Sequence, residues 1–134
     1  MPPTPKVTLE IDDNSPEDAP AFTSDPSTWS FDDDFNHGTR TAAETFRAMH
    51  KHVGGSIFRG YPERASKATL GLFDRFVDAD EVTWLSAAEL SGERPWLPTG
   101  TSHVERSMQM LFETVDVAAR HFGPERVRLV FAFI

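Results

Sequence analysis

Cysteine is missing from all 134 residues, which excludes disulfides, thiolate metal sites and cysteine nucleophiles. No apolar run approaches the roughly 18 residues that a membrane helix needs, and Met1–Pro5 does not read as a signal peptide. Catalytic signatures are scarce as well. No Gly-x-Ser-x-Gly elbow occurs. Gly55 and Gly60 have the spacing of a phosphate loop, but Tyr61-Pro62 stands where Lys-Ser/Thr is required, and a helix rather than a strand precedes them. His50 and His52 sit two apart on an expected helix, so they point about 200° apart and share no metal ion. His103 and His121 bracket another helix, where His121 suits the negative C-terminal end. Glu113 and Asp116, with Arg106 and Arg120 nearby, read as a solvated helix face. The pattern offers no catalytic residue, metal site, cofactor or small-molecule substrate. It suits a soluble protein of a reducing, intracellular compartment.

Positive charge is nearly absent from one end. Residues 1–37 hold nine acids against the single cation Lys6, while the whole chain has a net charge of −8. Residues 38–77 reverse the sign, with Arg40, Arg47, Lys51, Arg59, Arg64, Lys67 and Arg75 against three acids. Blocks of one sign mark solvated or interacting segments. Six of the ten prolines also fall within residues 1–37, which excludes a helix there. Inside this stretch, "KVTLEI" alternates Val7, Leu9 and Ile11 with Lys6, Thr8 and Glu10, predicting a short edge strand over 6–11. The rest of residues 1–37 reads as a largely irregular acidic arm, preceding a body over 38–134.

The body carries clearer periodicity. Thr41-Ala-Ala-Glu44 has the form of a capping box, followed by Phe46, Met49 and Val53 at helical spacing and by Gly54-Gly55 as a stop. Pro62 suits the first turn of a second helix, with Ala65, Ala68, Leu72 and Phe76 on one face up to about Val77. "EVTWLSA" (81–87) reads as a strand, with Ser86-Ala-Ala-Glu89 as a cap for a short helical turn. Residues 91–100 read as a loop. Ser102-His-Val-Glu105 then caps a helix over 103–121, along which Val104, Met108, Leu111, Val115, Ala119 and Phe122 recur. The last stretch, "RVRLVFAFI", is apolar on both faces and predicts a central strand. About three strands and three helices in this order make an α+β domain.

Two surfaces stand out. Phe22, Trp29, Phe31 and Phe35 are spaced through the acidic arm around Asp32, Asp33 and Asp34, the composition of a partner-binding segment with aromatic anchors. Arg40, Arg47, Lys51, Arg59, Arg64 and Lys67 form a basic surface, with His50, His52, Phe58 and Tyr61 interleaved. Its expected partner is anionic: the arm of a neighbouring copy, another protein, or, more weakly, nucleic acid or an anionic membrane.

Within residues 53–73, Phe58-Arg59-Gly60-Tyr61-Pro62 and Lys67-Ala68-Thr69-Leu70-Gly71-Leu72 resemble the central segment of rhabdovirus-type matrix proteins. There a helix ends in a glycine-containing turn with an aromatic-x-Gly-x-Pro pattern, and a second helix follows. Those proteins are longer and basic, "MPPTP" lacks the Pro-Pro-x-Tyr motif, and the helix at 103–121 has no counterpart. The resemblance implies a non-enzymatic virion protein that self-associates and bridges nucleocapsid to membrane.

These features predict a non-enzymatic structural, assembly or adaptor protein that uses the acidic aromatic arm to engage a partner or a neighbouring copy. Two rivals stay open. One is an acidic mimic of nucleic acid that inhibits a nucleic-acid-binding protein. The other is a small enzyme without a recognisable motif.

Overall fold

The computed structural model describes residues 5–12, 22–24, 29–30, 35–55, 57–73, 78 and 81–133. Along them run β1 (Pro5–Asp12), β2 (Phe22–Ser24), β3 (Trp29–Ser30), α1 (Phe35–Val53), α2 (Lys67–Phe73), β4 (Thr83–Ser86), α3 (His103–Phe122) and β5 (Val127–Phe133). One antiparallel sheet orders the strands β2-β1-β5-β4, with β3 also paired to β1. The class is α+β.

Strand alternation divides the sheet's side chains between two faces. Val127, Leu129 and Phe131 of β5 join Val7 and Leu9 of β1 and Leu85 of β4 in the main core. Against them pack Phe46 and Met49 of α1, and Val104, Met108, Leu111, Phe112 and Val115 of α3. Val130 and Ala132 take the opposite face, where Phe73 of α2, Val82, Trp84 and Tyr61 form a smaller cluster. Fully burying a large apolar side chain is worth roughly 1.5–3 kcal/mol, so β5, apolar on both faces, anchors both clusters at once. The expected central strand and the expected 103–121 helix are both present.

The capping chemistry explains the best-defined boundaries. Ser102 accepts from the Glu105 N–H at 3.2 Å and its hydroxyl donates to the Glu105 carboxylate at 2.8 Å, which starts α3. Ser86 and Glu89 make the same reciprocal pair just after β4, with Glu89 N–H to Ser86 Oγ at 3.2 Å and Ser86 N–H to Glu89 Oε1 at 3.1 Å.

Other boundaries depart from expectation. β1 is an interior strand, because β5 lies along one edge while β2 and β3 pair with the other. Residues 22–24 and 29–30 of the expected irregular arm are therefore part of the sheet. α1 starts at Phe35, six residues before Thr41, so Thr41 lies inside the helix and not at its start. The carboxylates of Asp32, Asp33 and Asp34 immediately precede this start in sequence, and negative charge is favoured at a helix N-terminus. α2 starts at Lys67 and not at Pro62. Arg64 has a φ of 55°, outside the right-handed helical region, and Ser66 instead caps the helix by accepting from the Thr69 N–H at 3.1 Å. Residues 74–77, the expected end of that helix, lie outside the described residues.

Candidate functional site: a basic, aromatic-walled pocket

The last two turns of α1 and the following turn enclose a pocket of ≈260 Å³ lined by Arg47, His50, Lys51, Gly55 and Phe58. Arg47 and Lys51 are four apart on the helix, so they share a face, and both are exposed. Phe58 supplies an aromatic wall. Its ring lies 4.9 Å from His50, edge-on, and 6.1 Å from Phe133, near-stacked at 23°. The Arg47 guanidinium sits 4.6 Å over the Phe133 ring, a cation–π contact that holds it beside the pocket.

His50 builds the pocket's inner wall. It is only 2% exposed, and both ring nitrogens are bonded. Nδ1 lies 2.7 Å from the Gly55 carbonyl, which can only accept, so Nδ1 carries the hydrogen. Nε2 therefore accepts from the Thr83 hydroxyl at 2.7 Å. The same Thr83 oxygen accepts the Arg59 N–H at 3.2 Å. One neutral imidazole thus joins α1, the Gly54–Phe58 turn and β4. Burial pushes its pKa below the ordinary value of 6.5, and the nearby Arg59 adds to this against the opposing pull of the Gly55 carbonyl and Glu89. Gly54 makes the arrangement possible, because a Cβ there would stand 2.8 Å from Leu85 Cδ2 and 3.4 Å from His50 Nε2.

A hydroxyl within hydrogen-bond reach of an imidazole is the first requirement of an activated nucleophile. Thr83, however, is 0% exposed, and its oxygen is already engaged on both sides. What the pocket can offer is two cations and a ring face, suited to an anionic group with an apolar neighbour.

The structure separates the six basic-surface candidates. Arg47 and Lys51 line the pocket, and Arg40 is one heptad earlier on α1. Arg59 is committed elsewhere: its guanidinium makes a two-pronged ion pair with Glu89 at 2.7 and 2.6 Å and donates to the Trp84 carbonyl at 3.2 Å. That pairing holds the Glu89 carboxyl at about 2. Arg64 and Lys67 belong to the turn before α2 and its first residue, on the far side of Arg59 in sequence. Of the six candidates, Arg47 and Lys51 therefore line the pocket, while Arg59 is spent on Glu89.

Of the partner-binding candidates, Phe22 belongs to β2, Trp29 to β3 opposite Val7, and Phe35 opens α1. Phe31, Asp32, Asp33 and Asp34 lie outside the described residues. Asp116, expected in a solvated face, meets Arg94 of the preceding loop in a two-pronged pair at 3.0 and 2.6 Å. Thr83, Glu89 and Phe133 are the contributors that spacing could not find.

Among the described residues, no cluster of three or more His, Asp or Glu side chains could hold a metal ion. No helix there is long and apolar enough to cross a membrane. Comparison with protein-family models, curated proteins and solved structures finds no match.

Proposed function

We propose that this protein is a non-enzymatic assembly or adaptor module whose Arg47–Lys51–Phe58 pocket receives an acidic, aromatic-bearing peptide segment. The single observation behind this reading is the pairing of two exposed cations with an aromatic wall in a small cavity. Its ≈260 Å³ is below the roughly 300–1,000 Å³ of sites for drug-sized ligands, and it suits one or two side chains of a peptide. An aspartate beside a phenylalanine has the matching chemistry.

Residues 28–37, TWSFDDDFNH, carry that chemistry within this chain. Asp34 leads directly into Phe35, and a rise of about 1.5 Å per residue puts Phe35 roughly 18 Å from Arg47 along α1. The favoured donor is accordingly a neighbouring copy. An assembly role is also what the likeness of residues 53–73 to matrix proteins implies.

The test is titration of the full chain with a fluorescent peptide of residues 28–37. Saturable binding is expected, weakening as salt screens the charges, and lost in R47E/K51E. A peptide with its three aspartates replaced by asparagine should bind far less. Equal binding of the two peptides, or binding unchanged in R47E/K51E, overturns the reading.

A further inference from the structure

The wall of the Arg47–Lys51 pocket contains a group that can change its charge. His50 is 2% exposed, yet its ring lines the cavity. Nδ1 donates to the Gly55 carbonyl and Nε2 accepts from the Thr83 hydroxyl. With both nitrogens taken, the ring acts on a bound group through its charge and not through a hydrogen bond. The charges around it are unbalanced. α1 brings Arg47 and Lys51 to the same cavity. The segment after α1 brings Arg59, and the turn after β4 brings Glu89, which is paired with Arg59. β5 contributes the Phe131 ring at 6.1 Å, and Phe58 stands edge-on at 4.9 Å. Burial and the Arg59 charge favour the neutral ring. An acidic side chain entering between Arg47 and Lys51 brings the missing negative charge, and a nearby anion favours the charged form of an imidazole.

We infer that the pocket takes up a proton together with its anion, and that His50 is the group that receives it. This inference rests on the reading of the pocket as a site for an acidic peptide segment. The carboxylate enters ionised, and one proton from water goes to Nε2. The Thr83 hydroxyl then turns so that its oxygen accepts from Nε2–H. That oxygen has two lone pairs, one for Nε2–H and one for the Arg59 N–H it already accepts. Binding and protonation are reciprocal. The anion raises the proton affinity of His50, and acid therefore tightens binding. The pocket is a docking point that responds to pH over the range in which imidazoles titrate.

Titration with an acetylated, amidated peptide of residues 28–36 tests it. This probe omits His37 and the terminal amine, and its aspartates stay ionised above about pH 5, so any pH dependence arises in the protein. Wild type should bind about three- to tenfold more tightly at pH 5.5 than at pH 7.5. H50Q should bind equally at both, whereas H52Q, which alters the exposed neighbour, should keep the rise. Circular dichroism at each pH shows whether each variant is folded. Calorimetry of wild type at pH 6.5, in two buffers of different ionisation enthalpy, should report net proton uptake and needs no variant. Wild-type affinity that is flat or falls toward pH 5.5, a rise kept in folded H50Q or lost in H52Q, or binding without proton uptake would each overturn the inference. If binding is saturable and lost in R47E/K51E, those outcomes leave the pocket reading standing. Absence of binding at every pH removes both.

Discussion

Glu10 of β1 and Arg128 of β5 stand directly opposite each other in the ladder, and their side chains meet at 2.6 Å with both residues buried. The second Glu10 oxygen accepts from the Ser66 N–H at 2.8 Å and from the Thr69 hydroxyl. Arg128 also reaches the Arg64 carbonyl at 3.4 Å. A charged pair in the sheet therefore takes the place of apolar packing between β1, β5 and the start of α2.

Removing one member of such a pair leaves the other charge buried and alone, at a cost of about 3–5 kcal/mol. E10Q and R128M are each expected to lose that much, read as a fall in the urea midpoint. The double variant E10L/R128M should lose much less than the sum, because no charge is then stranded. Additive losses in the double-mutant cycle would contradict the account.

His50 makes stability depend on pH. Its folded pKa is lowered, so the unfolded chain takes up the proton first as pH falls. Stability is then full above the ordinary value of 6.5 and declines as pH drops from there toward the folded value. Urea midpoints at pH 7.5, 6.5 and 5.5 should fall in that order. H50Q, which keeps a donor and an acceptor, should flatten the part of the profile below neutrality. Glu89 contributes on the far acid side: with its pKa held at about 2, its stabilisation is present above 4.5 and lost as pH falls through 2. The pair is partly exposed, so that loss is only about 1 kcal/mol.

What the sequence made legible follows the length and period of each element. Val104, Met108, Leu111 and Val115 repeat over a long helix with a capping box at its start, so α3 stood out. The unbroken apolar run of β5 did the same. Two- and three-residue strands such as β3 and β2 are too short to show any period. Phe35–Arg40 has Gly38 and polar neighbours in place of an apolar stripe, so Thr41 looked like the better start for α1. In the site, Arg47, Lys51 and Phe58 were visible as charge and interleaved aromatics. Thr83 and Glu89 enter through contacts 33 and 30 residues away in the chain, which spacing does not encode.

That contrast between the two serine/threonine boxes is itself measurable. S102A removes a side chain that caps α3 and should cost about 1 kcal/mol. T41A replaces threonine by the best helix former at a position inside α1, and should be neutral or slightly stabilising. Thermal melts of the two variants check this, and a T41A loss as large as that of S102A would restore Thr41 as a cap.

Gly54 joins the fold to the pocket, and its replacement should damage both. A Cβ at this position would meet Leu85 Cδ2 at 2.8 Å, with Arg59 Nη2 at 3.3 Å and His50 Nε2 at 3.4 Å. Leu85 is fully buried and has no space to retreat into. The imidazole that ties α1 to β4 borders the same site. Overpacking of this kind typically costs about 1–3 kcal/mol, so G54A should lower the urea midpoint accordingly. Because His50 and the Gly55 carbonyl shift with it, G54A should weaken binding of the 28–37 peptide even at temperatures where the variant is fully folded. G55A supplies the comparison: a Cβ there meets nothing within 4 Å, and its cost comes only from the φ of 89°. Equal stability loss in the two variants, with peptide binding intact in G54A, would show that contact with Leu85 does not shape the pocket.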